Sequence, residues 1–214
     1  MILYGTVLRW SLQETNWRNM KKIISILVAL MVLAGCSAKP DATAKDFIEA
    51  IKHSDAEKIA LLAGNTEYTE EDDMFRTFDD ISPALTEYIK EYNQQISYEV
   101  MDSKVQGEVA TVTAKVTYKD GGDILIESFM DYLQRVLTLV SSHATEEDLL
   151  ELFTEILCEK METAETEEVT KEVTFDMVKV DDKWVVANPS EELFDVMTAG
   201  MYSAFMELEG IFSE

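Results

Sequence analysis

The apolar positions of this chain keep three rhythms. From Ile23 to Leu33 they form one eleven-residue run, apolar at every position but Ser25. Beyond Thr43 they fall three or four residues apart, the spacing of a helix face, and beyond Ile96 they fall every second residue, as in a strand covered on one side. Phe47, Ile48 and Ile51 make the first helical stripe, and Ile59, Ala60 and Leu62 the second. Thr43 to Asp46 and Ser54 to Glu57 have capping-box spacing, in which side chain and backbone satisfy each other's hydrogen bonds, so both helices are expected to begin there. "NTEYTEEDDMFRTFDD" reads as an acidic connection. A third helix is expected from Ser82 and Pro83, with Leu85, Tyr88, Ile89 and Tyr92 on one face.

The period then changes to two. Ala110, Val112, Ala114, Val116 and Tyr118 alternate with Thr111, Thr113, Lys115 and Thr117, and "ISYEVMDSKV" should pair with this strand across a turn at Gln106 and Gly107. A second hairpin is expected from "EVTKEVTFDMVKV" through Asp181 and Asp182 into "KWVVAN", with Val173, Phe175 and Met177 on one face and Trp184 and Val186 on the partner. Between the hairpins, residues 123–161 read as an antiparallel helical pair. Its first stripe is Leu125, Phe129, Leu133, Val136, Leu137 and Val140; its second helix opens at Thr145 with Asp148 three residues on, and the nearest surface to bury both is the sheet. A last helix is expected with Asn188 as cap, Pro189 at the first position and Leu193, Met197, Met201, Phe205 and Leu208 along one side. Helices first and hairpins after give an α+β class. The expectation is a curved antiparallel sheet of two hairpins packed with N-terminal helices, a helical-hairpin insert and a C-terminal helix, in one domain over residues 45–210.

Charge narrows the partners. The chain has 18 basic and 42 acidic residues, of which four and one precede Cys36, so that the part from Cys36 onward carries a formal −27. Nucleic-acid binding is excluded, because it needs a basic footprint to displace counterions. An anionic bilayer repels such a body within about 8 Å at physiological salt. The chain has two cysteines. If Cys36 is consumed by modification, Cys158 has no partner for a disulfide, and its neighbours include no cluster of bases to make it a nucleophile.

The first run decides location. It falls well short of the roughly 20 residues a membrane-spanning helix needs. Lys21 and Lys22 precede it, Ala34 and Gly35 follow it, and the order of charge, apolar stretch and small residues is that of an export signal. "LAGC", Leu33 to Cys36, resembles the lipobox of bacterial lipoprotein signals. That resemblance implies a diacylglyceryl group on the Cys36 sulfur and cleavage just before it. Two acyl chains anchor stably where one holds only marginally. The mature protein is then exported and tethered by lipid to the outer face of the bacterial cytoplasmic membrane, or to another envelope membrane. Residues 1–19 fit poorly before such a signal, which places the natural start at Met20, the signal at 20–35 and a lipidated tether at 36–44.

Three stretches, "AKDFIEAIKHSDAEKIALLA", "GEVATVTAKVTYKDG" and "FDMVKVDDKWVVANPSEEL", resemble small secreted bacterial proteins of the nuclear transport factor two-like (SnoaL-like, cystatin-like) fold. The resemblance covers about two thirds of residues 43–208, and the pair at 123–161 departs from it. It implies a cone-shaped sheet wrapped by helices around an apolar cavity, which Tyr88, Tyr92, Tyr118, Phe175 and Trp184 are placed to line. Members include steroid isomerases and polyketide cyclases as well as binding modules, so fold alone does not choose between them.

The remaining chemistry is sparse. His53 ends a helix and His143 lies in a turn, too far apart in sequence for a metal pair. Glu67, Glu70, Glu71, Asp72 and Asp73 lack the ligand spacing and glycine of a calcium loop, so neither a metal nor a cofactor is expected. Glu172 and Asp176 alternate with the apolar positions of their strand and should face water. Two readings follow. One is a lipid-anchored binding or interaction module of the envelope, taking a small apolar ligand or an envelope protein. The other is a small enzyme of the isomerase or cyclase type, which requires a carboxylate turned into the cavity beside a Tyr or His. Self-association through the sheet or the helical pair is a third expectation.

Overall fold

Four antiparallel strands in the order β1-β2-β3-β4 form the sheet, each hydrogen-bonded to its successor. The computed structural model describes residues 39–69, 73–139 and 145–212, all within the unit Lys39–Glu214. The signal run, Cys36, His143, Glu70, Glu71 and Asp72 lie outside the described residues. β1 (Ser97–Gln106) and β2 (Val109–Asp120) turn at Gly107, whose φ of +67° suits glycine. β3 (Glu167–Val180) and β4 (Lys183–Pro189) turn at Asp181 and Asp182, with φ of +47° and +63°, the left-handed pair that a two-residue hairpin demands. Both hairpins fall where the alternation placed them, and the α+β class with a curved antiparallel sheet holds.

The two faces of the sheet follow the parity of the sequence. Ala110, Val112, Ala114, Val116 and Tyr118 of β2, with Val173, Phe175 and Met177 of β3 and Trp184 and Val186 of β4, are buried. Thr111, Lys115, Glu172 and Asp176 on the opposite face are exposed. A one-residue slip would invert every one of these positions, so burial of one face pins the register.

Two helix starts ahead of the sheet differ from expectation. α1 (Pro40–Lys52) opens at Pro40, with Lys39 as cap, and Thr43 is buried inside it. A proline has no N–H to leave unsatisfied and holds a helical φ, which outranks a capping box three residues later. Only Ser37, Ala38 and Lys39 then separate Cys36 from the helix. In α2 (Ala56–Leu62) the cap is Asp55, whose Oδ1 accepts the Lys58 N–H at 3.0 Å, while Ser54 takes a φ of 50°. α1 lies on the sheet through Phe47, Ile48 and Ile51, and the Phe47 ring meets Phe175 edge-on at 6.1 Å.

The acidic connection conceals a further helix, α3 (Met74–Ile81). Asp73 Oδ1 accepts the Phe75 N–H at 2.9 Å, and Phe75 is buried. Its apolar positions, Phe75, Phe78 and Ile81, sit three apart among carboxylates, so a composition reading hides a short amphipathic stripe. α4 (Pro83–Asn93) follows as expected, with Leu85 and Ile89 buried.

α5 (Gly122–Leu139) and α6 (Glu146–Thr163) are the expected pair, and Thr145 and Asp148 form the capping box that opens the second. They pack mainly on each other, with α5 also against the last helix and α6 also against α4. The sheet was the expected surface. Its one apolar face is already covered by α1, α4 and the helix after β4, so the pair builds a second, helical layer.

The C-terminal helix is two helices. β4 runs on through Pro189, which pairs with Phe175, so Asn188 and Pro189 are strand residues and not a cap and first turn. Ser190 caps instead, its Oγ accepting the Leu193 N–H at 3.3 Å. α7 (Glu191–Met197) ends in a bend at Thr198–Gly200, where Ala199 and Gly200 have φ of +51° and +82°, and α8 (Met201–Phe212) leaves in a new direction.

Candidate functional site

A cavity of about 880 Å³ lies in the helical layer and not under the sheet. Phe78 and Ile81 of α3, Leu85 of α4, Leu125, Phe129 and Tyr132 of α5, and Leu149, Leu150, Phe153 and Leu157 of α6 form most of its wall. The bend and α8 close it with Thr198, Met201, Tyr202, Phe205, Leu208 and Glu209. No strand contributes a residue among those that line it.

Each helix turns an apolar face inward at helical spacing, Leu149, Leu150, Phe153 and Leu157 being the clearest case. The floor is closed: Leu85, Leu157, Met201 and Leu208 are buried. The mouth is open: Phe205 is 58 % exposed, Leu150 50 % and Ile81 39 %. Tyr132 packs edge-on against Phe153 at 5.6 Å, which stiffens the α5–α6 wall. The Thr198 hydroxyl donates to the Phe194 carbonyl at 2.9 Å and accepts the Tyr202 N–H at 3.0 Å, so its polar capacity is consumed within the helices. Among the lining residues the one carboxylate is Glu209, exposed on α8.

The bend that places Met201, Tyr202 and Phe205 is fastened to the sheet by a polar cluster centred on the buried Asp195. Asp195, 1 % exposed, accepts from the Lys171 ammonium at 2.6 Å, from the Ser203 hydroxyl at 2.6 Å and from the Ser203 N–H at 2.8 Å. Burial lowers the Lys171 pKa, but its hydrogen bond to Asp195 and the neighbouring Tyr118 outweigh that and hold it raised. Burial pushes the Tyr118 hydroxyl up to about 12, against the pull of Lys171. A second fastening joins the bend to the start of α5: the Gly121 N–H donates to the Ala199 carbonyl at 2.7 Å. The Asp120 carboxylate, which accepts the Gly122 N–H at 2.9 Å, lies where a side chain on Gly200 would have to go.

The residues expected to line a cavity lie elsewhere. Phe175, Tyr118 and Trp184 are buried in the core between sheet and α1 or α7, and not one of the five touches the helical cavity. Tyr88 and Tyr92 of α4 meet edge-on at 4.2 Å, and Tyr88 borders a shallower hollow of about 310 Å³ with Glu87, Glu91, Cys158 and Glu162. Burial first, then Tyr92, raises the Tyr88 hydroxyl far above its usual range. Cys158 is half-buried on α6. His53 caps the end of α1 within 3.8 Å of Glu49. Glu172 and Asp176 are exposed on the outer face of the sheet, as their parity requires. Among the described residues no three His, Cys, Asp or Glu side chains are grouped to hold a metal ion, and no helix is long and apolar enough to cross a membrane.

The residues of α6 fall at helical spacing in the sequence; Lys171 was not singled out, although it shares the parity of Val173, Phe175 and Met177, the signal that could have found it. The convergence of α3, α5, α6 and α8 on one space was not legible there, because α3 was masked by its charge and the bend before α8 has no apolar signature.

Residues 20–37 match the family model described as the prokaryotic membrane lipoprotein lipid attachment site. The match spans the export signal and Cys36, and supports an exported protein of the bacterial envelope anchored to a membrane by lipid. A comparison with curated proteins finds no match. Among solved structures, a candidate lipoprotein of Bacillus subtilis subsp. subtilis strain 168, YcdA, aligns at 16 % identity and a TM-score of 0.38, over 69 % of this chain and 44 % of that chain. The chain thus spans less than half the length of that protein.

Proposed function

We propose that the protein is a binding module held by its Cys36 lipid at the outer face of the cytoplasmic membrane, and that the helical cavity is where it binds. The cavity carries the reading. Ligand sites run to roughly 300–1,000 Å³, walled mostly by apolar and aromatic groups with a few polar ones, and a space of about 880 Å³ with fourteen apolar or aromatic residues among sixteen is of that kind. An open apolar surface of this sort costs solubility unless it is covered during function. The short segment before α1 keeps the domain near the membrane, while its negative charge keeps it from lying down on anionic lipid. The same reading retains the domain as a divergent nuclear transport factor two-like module, supported by the N-terminal helix pair laid on one face of an antiparallel sheet and the closing tryptophan hairpin, with binding moved from the sheet to the helices.

The test is a titration of the full-length lipidated protein, in phosphatidylcholine nanodiscs, with the neutral fluorophore N-phenyl-1-naphthylamine. Saturable emission above that of empty nanodiscs is expected, and Leu149→Trp, which fills the cavity, should abolish it while leaving the thermal melt in place. Equal emission from both proteins, or none above the empty discs, refutes the reading.

A further inference from the structure

One edge of the sheet is open. β1 pairs with β2 along one side, and among the described residues no strand pairs with its other side. Such a row of unmet N–H and C=O groups is a template for another strand, which proteins blunt with proline, with a covering element or with charge turned inward. β4, the opposite edge, has the first two devices: it ends at Pro189, and α2 packs against it, with Gly64 beside Val185. β1 has neither proline nor inward charge. Tyr98, Val100, Ser103 and Val105 lie opposite the buried Val116, Ala114, Val112 and Ala110, and so share the apolar face of the sheet. Glu99, Asp102 and Lys104 lie opposite Lys115, Thr113 and Thr111 on the outer face. The strand is exposed from Met101 to Gln106, with Met101 58 % and Val105 53 % exposed.

We propose that a second copy of the chain pairs along this edge, β1 antiparallel to β1 about a two-fold axis between Met101 and Asp102, so that the two four-stranded sheets become one. The register follows from the strand itself. A bulge at Met101, where the pairing with β2 skips from Val100 to Asp102, reverses the side-chain parity along β1. With the axis at the bulge, Tyr98 of one copy faces Val105 of the other on the apolar side, and Val100 faces Ser103. On the outer side Glu99 faces Lys104 and Ser97 faces Gln106, and by symmetry each pair occurs twice. All ten residues of the strand are then paired, over about 34 Å at roughly 3.4 Å per residue. Sliding one copy by a single residue sets apolar-side positions against outer ones. Sliding by two sets Glu99 against Asp102 in one direction, and in the other sets Asp102 against Ser103 of the opposite face. Opposite charges across strands stabilise and like charges destabilise, so the first register wins. Lys104 already reaches its own Asp102 at 2.9 Å and gains a second carboxylate from the other copy. This twofold match is a property of self-pairing, and it favours a second copy over an extended peptide of another protein. The formal −27 from Cys36 onward opposes association; physiological salt screens that repulsion beyond about 8 Å, and a shared membrane raises the effective concentration of anchored copies.

Sedimentation equilibrium of the full-length lipidated protein, in dodecyl maltoside micelles at physiological salt, is expected to show a monomer–dimer equilibrium. Glu99→Lys and Lys104→Glu, at exposed positions, each set like charges opposite one another and should each weaken it at least tenfold with the thermal melt in place. An equimolar mixture of the two variants, in which every such cross-copy pair is again opposite in sign, should recover to within threefold of the parent. Disulfides in phosphatidylcholine vesicles read the register separately. Ser97→Cys and Gln106→Cys, each in a Cys158→Ser background, should cross-link at least tenfold more when mixed than either does alone, because the pairing sets position 97 beside 106 and leaves like positions about 30 Å apart. A monomer at all concentrations, charge variants that associate like the parent, or equal cross-linking of like positions overturns the inference. Dimerisation lost in Phe205→Glu and kept in Glu99→Lys overturns it in favour of the cavity face. Binding of the neutral fluorophore should be the same in Glu99→Lys as in the parent, so the edge pairing and the cavity reading stand or fall apart.

Discussion

Replacing Asp195 by alanine removes the fastening between the sheet and the bend. Three hydrogen bonds converge on that carboxylate, two from Ser203 and one from the Lys171 ammonium, all at 2.8 Å or less. Charge-assisted bonds contribute about 1.5–3 kcal/mol each, and removing one member of a buried pair costs about 3–5 kcal/mol because the other charge is stranded. Lys171 is not stranded fully, since its side chain is 35 % exposed and can turn to water. Ser203 is exposed near the start of α8, so its hydroxyl can turn to water as well. The expected loss is therefore at the lower end, about 3 kcal/mol, read as a fall in the urea midpoint without a change in slope. Asp195→Asn, which still accepts from the Ser203 N–H, should lose about half of that. The second consequence separates a positioning role from plain stability. Met201, Tyr202 and Phe205 stand just beyond the bend, so binding of the neutral fluorophore should weaken in Asp195→Asn at temperatures where the variant is fully folded. A loss of stability under 1 kcal/mol in Asp195→Ala refutes the claim that this cluster holds the bend. Unchanged fluorophore affinity in Asp195→Asn refutes the claim that the bend shapes the cavity.

Other outcomes follow from the same geometry. Gly200→Ala must hold a side chain at a φ of +82° and displace the Asp120 carboxylate; a left-handed non-glycine residue costs about 1–2 kcal/mol before any overlap, so a thermal melt should show a loss of at least 2 kcal/mol. Phe175→Ala empties the centre of the core beside Phe47 and should cost about 3–5 kcal/mol by chemical denaturation. The Tyr118 hydroxyl is raised from 10.0 to about 12 and Lys171 is raised as well. Groups raised in the folded state contribute fully below their unfolded pKa, so stability should be intact below about pH 10 and fall as pH climbs towards 12. The tyrosine alone accounts for on the order of 3 kcal/mol at roughly 1.4 kcal/mol per pKa unit. Urea midpoints measured across that range should fall less steeply in Tyr118→Phe. Finally, Cys36→Ser removes the sulfur proposed to take the lipid, and mass spectrometry should find the chain neither acylated nor cleaved before position 36; an acylated product would refute lipid attachment at Cys36.

Local signals in the chain determined much of this protein. Period-two alternation in β2 and β3 specified which face of the sheet is buried, because a slip by one residue would turn Val112, Phe175 and their neighbours to water. Asp181 and Asp182 marked a tight hairpin, Thr145 and Asp148 the start of α6, and the order of lysines, apolar run, small residues and Cys36 the export and lipid signal. Each of these is decided within a few residues of chain, where backbone sterics and short-range hydrogen bonds act. Tertiary structure decided the rest. Whether Pro189 opens a helix or ends a strand depended on its pairing with Phe175, fourteen residues away. Where α5 and α6 bury their stripes depended on the sheet's single apolar face being already taken by other helices. The cavity exists because α3, α4, α5, α6 and α8 meet around a bend, beside which Asp195 meets Lys171 across the fold. Competition between distant surfaces for the same burial leaves no local mark, so it is the packed structure and not the pattern that locates the site.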